Sequence, residues 1–272
     1  MKKKVTTILL MLVFAVGLSL LLYPVVSNFW NQMHASQVVT DYDKAVSSIS
    51  QEDYTEIIEA AQEYNQSLLT RTDRFANSEE EENDPTYLAQ LQADGSDVMG
   101  YVQIPKIDVK LPIYHGTTES VLQVGVGHIA GSSLPVGGES THCALSGHTG
   151  LPSAKLLTDM DQLEIGDMFY LHVFGNVLAY QVDQILVVEP NDVDPLAIVP
   201  GEDYVTLVTC TPYGVNSHRL LVRGTRIQAE DFSQIAPASD AEPLNRLIGM
   251  ALIAVPVFLL CLIIYLIISK RK

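Results

Sequence analysis

Cysteine is rare in this chain. Among the 272 residues there are only three, Cys143, Cys210 and Cys261. An exported domain that is stabilised by disulfide bonds normally carries more cysteines, in an even number. Cys261 lies in an apolar stretch near the C-terminus, where a small apolar side chain is ordinary. Only Cys143 and Cys210 could form a bridge in the body of the chain, and we expect at least one of these thiols to be free for another purpose.

Basic residues are also scarce. The chain has 16 lysines and arginines against 32 aspartates and glutamates. Six of the basic residues lie at the extreme ends, at 2–4 and 270–272, so the body between them is strongly acidic. Because an acidic surface repels phosphates, we exclude nucleic acid as a partner. We interpret the acidity as that of a solvated extracellular surface.

The sequence also lacks the patterns that bind metals or nucleotides. His142, Cys143 and His148 do not have the spacing of a zinc site. The three glycines at 125, 127 and 131 lack the strand, helix and spacing of a phosphate-binding loop. We therefore expect neither a metal nor a cofactor.

Long apolar runs are present near both ends. Residues 5–26 and residues 247–268 each form a run of 22, which is long enough to cross a bilayer core of about 30 Å. The first run is longer than the apolar part of a secretory signal, and the nearest cleavage site, around His34, is poor, so an uncleaved anchor is favoured over a cleaved signal. The basic residues outside both runs predict two transmembrane helices in the plasma membrane, with both termini cytoplasmic and the body extracellular.

The pattern between these runs divides the body. Apolar residues recur at helical spacing from Ser36 to Leu69, and a cap formed by Ser50 and Asp53 divides them into two amphipathic helices. From Val98 onward, short β-branched and apolar runs between turn residues predict seven or eight strands, an all-β fold with a closed or nearly closed antiparallel sheet. The predicted segments are an N-terminal membrane anchor (1–30), juxtamembrane helices (31–76), an acidic lid or linker (77–97), a β-barrel (98–230), a linker (231–246) and a C-terminal transmembrane helix (247–269).

The candidate reactive residues lie at predicted strand ends. Cys210 ends the run TLVTC, and His148 ends the run THCALSGH just before a turn. Strand ends expose reactive groups on a rigid scaffold, and a thiol nucleophile needs a proton acceptor and a positive neighbourhood. Arg219 would supply the positive charge. His218 is the alternative, because neighbouring residues in a strand face opposite sides and only one of the two can face Cys210. Spacing alone leaves open a buried thiol and an arginine in a surface ion pair; Cys143 is expected in the core.

These same residues resemble the sortases, membrane-anchored cysteine transpeptidases of Gram-positive bacteria. TLVTC followed by Arg219 is similar to the family's Thr-Leu-x-Thr-Cys signature and downstream arginine, and SGH at 146–148 is similar to the segment that carries its histidine. The likeness extends from Gly100 to Ile227. The segments GHTGLPSA and CTPYGVNSHRLLVRG, together with the second apolar run, resemble most the class C branch, which polymerises pilins.

The resemblance implies a fold and a reaction. It implies a closed β-barrel of eight strands, with Cys210 as nucleophile, His148 as acid and base, and Arg219 as the clamp for the oxyanion or the substrate. The implied substrates are pilins or surface proteins that carry a C-terminal sorting signal like Leu-Pro-x-Thr-Gly. The acyl group would pass from the cysteine to a lysine amine of another pilin. The alternatives are attachment of surface proteins to cell-wall peptide and a non-catalytic, membrane-tethered interaction domain.

The resemblance also implies a lid. Class C relatives cover the site with a segment carrying an Asp-Pro-aromatic motif, whose aspartate meets the arginine and whose ring covers the cysteine. Residues 84–87 of this chain read Asp-Pro-Thr-Tyr. The aromatic stands one residue later than in the motif, with Thr86 in its place, so we expect Asp84 to pair with Arg219 and the ring of Tyr87 to contribute less to the lid.

Overall fold

The fold was analysed in a computed structural model, which describes residues 2–71, 74–76, 78–93 and 96–228, together with residues 249, 256 and 257. The chain divides into two compact units, one containing the residues up to Gln32 and the other containing the β-barrel. The helices are α1 (Lys2–Ser47), α2 (Gln51–Leu68), α3 (Ser78–Glu82), α4 (Pro85–Leu88) and α5 (Glu119–Leu122). The strands are β1 (Val98–Ile104), β2 (Val109–His115), β3 (Val126–His128), β4 (Thr141–Ser146), β5 (Met168–Val173), β6 (Asn176–Val188), β7 (Asp203–Thr211) and β8 (His218–Ile227).

Helix α1 contains the predicted N-terminal anchor. Its part from Met11 to Ser47 is long and apolar enough to cross a membrane, and it is the one such helix among the described residues. The helix continues through residue 30, where the sequence pattern placed a boundary, because no glycine or proline interrupts residues 27–47. The second predicted span and the linker before it lie almost wholly outside the described residues.

Helix α2 begins where the capping pattern predicted. The Ser50 hydroxyl accepts a hydrogen bond from the Asp53 backbone N–H at 3.1 Å and donates to the Asp53 carboxylate at 2.6 Å. On the buried face of α2, the Asn65 amide bonds to both backbone groups of Leu134, donating to its carbonyl at 3.3 Å and accepting from its N–H at 2.7 Å. The amphipathic helix α2 is therefore fastened to the loop that precedes β4.

The eight strands close into a barrel in the order β1-β2-β3-β4-β7-β8-β6-β5. The predicted closed eight-stranded barrel is confirmed. Two expectations need correction. The pairs β2 with β3 and β4 with β7 are parallel, so the sheet is not wholly antiparallel. An all-β class describes the barrel alone, because α1 has 46 residues and α2 has 18.

The two faces of the barrel wall differ in what they contact. Because side chains alternate along a strand, Cys143 and Leu145 of β4 face one side, and Ala144 faces the other. Cys143 and Leu145 are 2% and 0% exposed. Ala144 packs with Val208 of β7 and with side chains from segments outside the barrel. That outer cluster comprises Ala144, Leu196, Val208 and Leu221, with Phe75, Ile129, Leu186 and Val188 packed against it.

Candidate active site

The register of β7 and β8 brings Cys210 and Arg219 together. Cys210 lies directly opposite Arg219 in this antiparallel pair. Directly opposed residues share a face of the sheet and have Cβ atoms about 4.5–5.5 Å apart. Cys210 lies two residues beyond Val208, so both side chains are on the outer face, at the edge of the apolar cluster. The guanidinium and the thiol are therefore neighbours.

His148 reaches the same place through the parallel pairing of β4 and β7. The pairing ends with Ser146 opposite Val208. Beyond it, Gly147 N donates to Val208 O at 3.0 Å, and the Thr209 hydroxyl donates to Gly147 O at 2.7 Å. His148 is two residues past Ser146, and Cys210 is two residues past Val208. Continuing the register places both at one level and on one face, beside Arg219.

The loops that follow His148 and Cys210 also touch each other. Gly150 has a φ of +73°, and a Cβ at this position would lie 3.1 Å from the ring of Tyr213. Glycine adopts this left-handed conformation without strain. A bulkier residue would therefore disturb both the turn after His148 and the loop after Cys210.

Arg219 is the arginine that faces the thiol, and His218 is directed elsewhere. The Arg219 guanidinium donates to the backbone carbonyls of Asn216 at 3.4 Å and His218 at 3.2 Å. In the part of the chain that the structure describes, no carboxylate lies within 4.0 Å of it. The His218 ring lies 3.4 Å from a Glu189 carboxylate oxygen.

The other candidate groups of β4 are built into the core. Burial raises the pKa of the Cys143 thiol well above its usual range. The two ring nitrogens of His142 lie 2.8 Å from Ala197 O and 2.7 Å from the Thr206 hydroxyl. Burial lowers the pKa of His142 to about 4. These residues are satisfied structural groups.

The predicted lid contacts of Asp84 and Tyr87 are not formed in this structure. Asp84 is the N-cap of α4, where its carboxylate accepts from Thr86 N at 2.8 Å. Tyr87 is fully buried, and its hydroxyl accepts from Gly116 N at 2.9 Å and lies 2.9 Å from His128 Nδ1. The Asp-Pro pair is a helix start, because aspartate caps well and proline suits the first turn. The ring of Tyr87 finds its polar partners at the β2–β3 edge, away from Cys210.

A different aromatic residue lies on the outer face. Phe75 packs against the cluster that contains Val208. The Arg74 guanidinium lies 5.2 Å from the centre of the Phe75 ring and also donates to Gly131 O at 3.3 Å. Sequence reasoning missed Phe75 because it sought the lid after residue 77. The available signal was the Asp-x-aromatic spacing at 73–75, in which Asp73 lies outside the described residues.

Comparison with known proteins decides the family. A model of the sortase domain matches residues 102–227. The crystal structure of sortase C1 from Streptococcus agalactiae is 49% identical, with a TM-score of 0.66, and the match covers 71% of this chain and all of that one. The chain belongs to the sortase family. Sortases are cysteine transpeptidases, so the site described above lies in an enzyme of that type.

Two further relatives refine the match. A sortase C from Streptococcus pneumoniae is 46% identical with a TM-score of 0.62, covering 71% of this chain and 97% of that one. The curated sortase A of Bacillus anthracis is 27% identical over 226 residues, covering 82% of this chain and 95% of that one. The resemblance to class C sortases is confirmed by the two structures.

Proposed function

We propose that this sortase polymerises pilins, with Cys210 as nucleophile, His148 as acid and base, and Arg219 as oxyanion clamp. The proposal is supported by the strand register, which pairs Cys210 with Arg219 and, continued two residues past Ser146 and Val208, brings His148 to the level of Cys210. A thiol serves both as nucleophile and as leaving group, so it keeps the acyl group activated until an amine arrives.

The first half of the reaction forms a thioester. The Cys210 thiolate attacks the carbonyl carbon of the Thr-Gly bond in a sorting signal, and the carbonyl oxygen becomes an oxyanion. Arg219 stabilises this charge. The carbon–nitrogen bond then breaks, and His148 gives its proton to the departing glycine amine.

The second half transfers the acyl group. The ε-amine of a lysine on another pilin attacks the thioester carbonyl, and the new tetrahedral oxyanion lies again beside Arg219. Collapse expels the Cys210 thiolate and leaves an isopeptide bond. His148 takes the proton that the amine loses, which returns the pair to its starting state.

The outer face suits the apolar part of such a signal. Val208 and Leu221 lie two residues from Cys210 and Arg219 along their strands, within an apolar cluster. The leucine and proline of a Leu-Pro-x-Thr-Gly signal would lie on this surface while the threonine carbonyl reaches Cys210. The pilin acceptor is supported by the likeness to sortase C structures, one of which, from S. pneumoniae, is described in terms of its pilin substrate specificity.

The acceptor is tested with the full-length protein in detergent. The protein is incubated with a sorting-signal peptide and either a pilin subunit or a cell-wall peptide amine, with Cys210→Ala as the inactive control. We expect a covalent product with the pilin lysine and little with the wall peptide. Product with the wall peptide alone would assign the enzyme to surface-protein attachment, and product with neither amine would contradict the transpeptidase proposal.

The proposed topology has both termini in the cytoplasm and the barrel outside. It is supported by the apolar helix α1 and by the basic residues that flank both apolar runs. A reporter fused after Lys272 should behave as cytoplasmic, and one inserted near Gly95 should behave as extracellular. An extracellular signal from the C-terminal fusion would contradict the second span.

A further inference from the structure

A carboxylate lies against the ring of His148. Glu119 is the first residue of α5, and its Oε2 is 3.3 Å from His148 Nε2. This is slightly longer than an ideal hydrogen bond. Catalytic hydrogen bonds are often long in the free enzyme and shorten when substrate binds. The sequence gives no sign of this contact, because 29 positions separate the two residues.

The carboxylate is held on its other side as well. Gln123 Nε2 donates to Glu119 Oε1 at 3.1 Å. Gly125 N donates to Val121 O at 3.1 Å, which ties the end of α5 to the start of β3. Strand β3 pairs in turn with β4, where Gly127 lies opposite Ser146. The barrel therefore holds the backbone of α5 near His148, while the Glu119 side chain that makes the contact is 68% exposed.

The contact selects a tautomer of the histidine. An ionised carboxylate only accepts hydrogen bonds, so the nitrogen that faces Glu119 must carry the proton. The pKa of Glu119 is lowered by the hydrogen bond from Gln123 and then by that from His148, which keeps it ionised at neutral pH. With the proton on Nε2, Nδ1 is the nitrogen left free to accept a proton in the proposed reaction.

Other charged groups lie near His148. By the strand register, Arg219 on β8 and Cys210 on β7 lie at its level. The segment after His148 is joined to it by a bond from Leu157 N to His148 O at 3.2 Å. That segment carries Lys155 and Asp159, which pair with each other at 2.7 Å. Among the described residues, Glu119 is the carboxylate that lies within 4.0 Å of the His148 ring.

We propose that Glu119, held by Gln123, is a positioning residue that orients His148 and fixes its Nε2–H tautomer. The inference rests on the proposed role of His148 in the transpeptidation. It gives the site a Gln-Glu-His chain of contacts, in which Gln123 and Glu119 do not touch the reacting atoms.

The charge is tested with Glu119→Gln in the full-length protein. Glutamine keeps an acceptor for Nε2–H but removes the negative charge. We expect the maximal transpeptidation rate to fall about 2- to 5-fold, the effect of one exposed ion pair. Gln123→Ala should lower the rate by less. Glu56→Gln, which removes an exposed charge from α2, should leave the rate unchanged.

The tautomer is tested with Glu119→Ala by nitrogen-15 NMR of labelled histidine. We expect the wild-type signal of His148 to be that of the Nε2–H form and the variant to give a mixture. An unchanged tautomer in Glu119→Ala, with an unchanged rate in Glu119→Gln, would overturn the inference. If His148→Ala is inactive in the same assays, the proposed function stands without it. Full activity of His148→Ala would instead overturn the proposed function.

Discussion

Cys143 and Cys210 lie on neighbouring parallel strands of one barrel, yet their surroundings are opposite. Cys143 faces the interior, is 2% exposed, and has a pKa raised by burial. Cys210 faces outward at the end of β7, opposite an arginine. Burial in an apolar interior disfavours the thiolate of Cys143, whereas Cys210 lies at a strand end, half-buried rather than enclosed. The comparison teaches that face and depth on the barrel, more than residue type, separate a structural group from a reactive one.

The histidines at 142 and 148 share one face of β4 and its extension, and they differ in depth alone. His142 is 1% exposed and is bonded at both ring nitrogens within the fold. His148 lies beyond the strand, where its side chain is 25% exposed and faces Glu119. Changes at the outer rim should therefore alter catalysis with little effect on stability, and changes in the interior should do the reverse.

Arg219→Ala should have the largest effect on catalysis. Loss of a guanidinium that stabilises an oxyanion should slow acylation of Cys210 about 100- to 1,000-fold. Arg219→Lys keeps the charge but loses the planar fork, and should give an intermediate rate. The rates are measured by quenched-flow mass spectrometry with a sorting-signal peptide, and thermal unfolding of both variants should stay close to that of the wild type. Acylation at the wild-type rate in Arg219→Ala would mean that Arg219 does not stabilise the oxyanion.

Acid should destabilise the interior. Burial lowers the pKa of His128 and of His142 to about 4, whereas in the unfolded chain both titrate near 6.5. The unfolded chain therefore binds more protons between these values. The stabilisation is complete above about pH 6.5 and is lost as the pH falls towards 4, by about 2 kcal/mol per histidine at pH 5.

Urea unfolding of the full-length protein at pH 7 and pH 5 measures this loss. His128→Gln should be less stable than the wild type at pH 7, but should lose less stability on going to pH 5. If the variant and the wild type lose equal stability between the two values, His128 does not titrate as its burial requires.

Tyr87→Phe distinguishes an interior residue from a lid residue. Removing the hydroxyl leaves the backbone N–H of Gly116 and the Nδ1 atom of His128 without this buried hydrogen-bond partner. The free energy of unfolding should fall by about 1 to 3 kcal/mol, measured by urea unfolding at pH 7, with no change in the rate of Cys210 alkylation. Faster alkylation of Cys210 at an unchanged free energy of unfolding would mean that Tyr87 covers the thiol as a lid residue.

Phe75→Ala should have the smallest effect, and it should act at the rim. The ring is partly buried against the outer cluster. Its loss should reduce the free energy that holds residues 74–76 on that face by roughly 1 kcal/mol, which corresponds to about five-fold faster alkylation of Cys210. The rate is followed by peptide mapping after treatment with a small thiol reagent. Leu88→Ala, at another partly exposed apolar side chain, is the matched control and should leave the rate unchanged. Equal rates in Phe75→Ala and the wild type would mean that Phe75 does not shield the thiol.

Local patterns predicted the strands and their faces but not every partner. The two-residue period placed Cys143 on the face opposite His148, and a strand end placed Cys210 beside a loop. The capping pattern at Ser50 predicted the start of α2, because a cap depends on neighbouring residues alone. The parallel pairing of β4 with β7 could not be derived in this way, since it joins Ser146 to a residue far along the chain.

The partners of Tyr87 and the carboxylate at His148 depend on tertiary structure. The Asp-Pro pair at 84–85 fits both a lid motif and a helix start, and only the tertiary partners of Tyr87 distinguish the two. The Glu119 contact depends on the β3–β4 pairing, which brings α5 towards His148. Long-range register, rather than local propensity, determines both features.

The intact mass of the acyl-enzyme tests the central claim most directly. Full-length wild-type protein and the Cys143→Ala and Cys210→Ala variants are each mixed with a sorting-signal peptide and quenched in acid. The account predicts a thioester adduct, mapped to Cys210, in the wild type and in Cys143→Ala, and none in Cys210→Ala. An adduct that persists in Cys210→Ala, or that maps to Cys143, would contradict it.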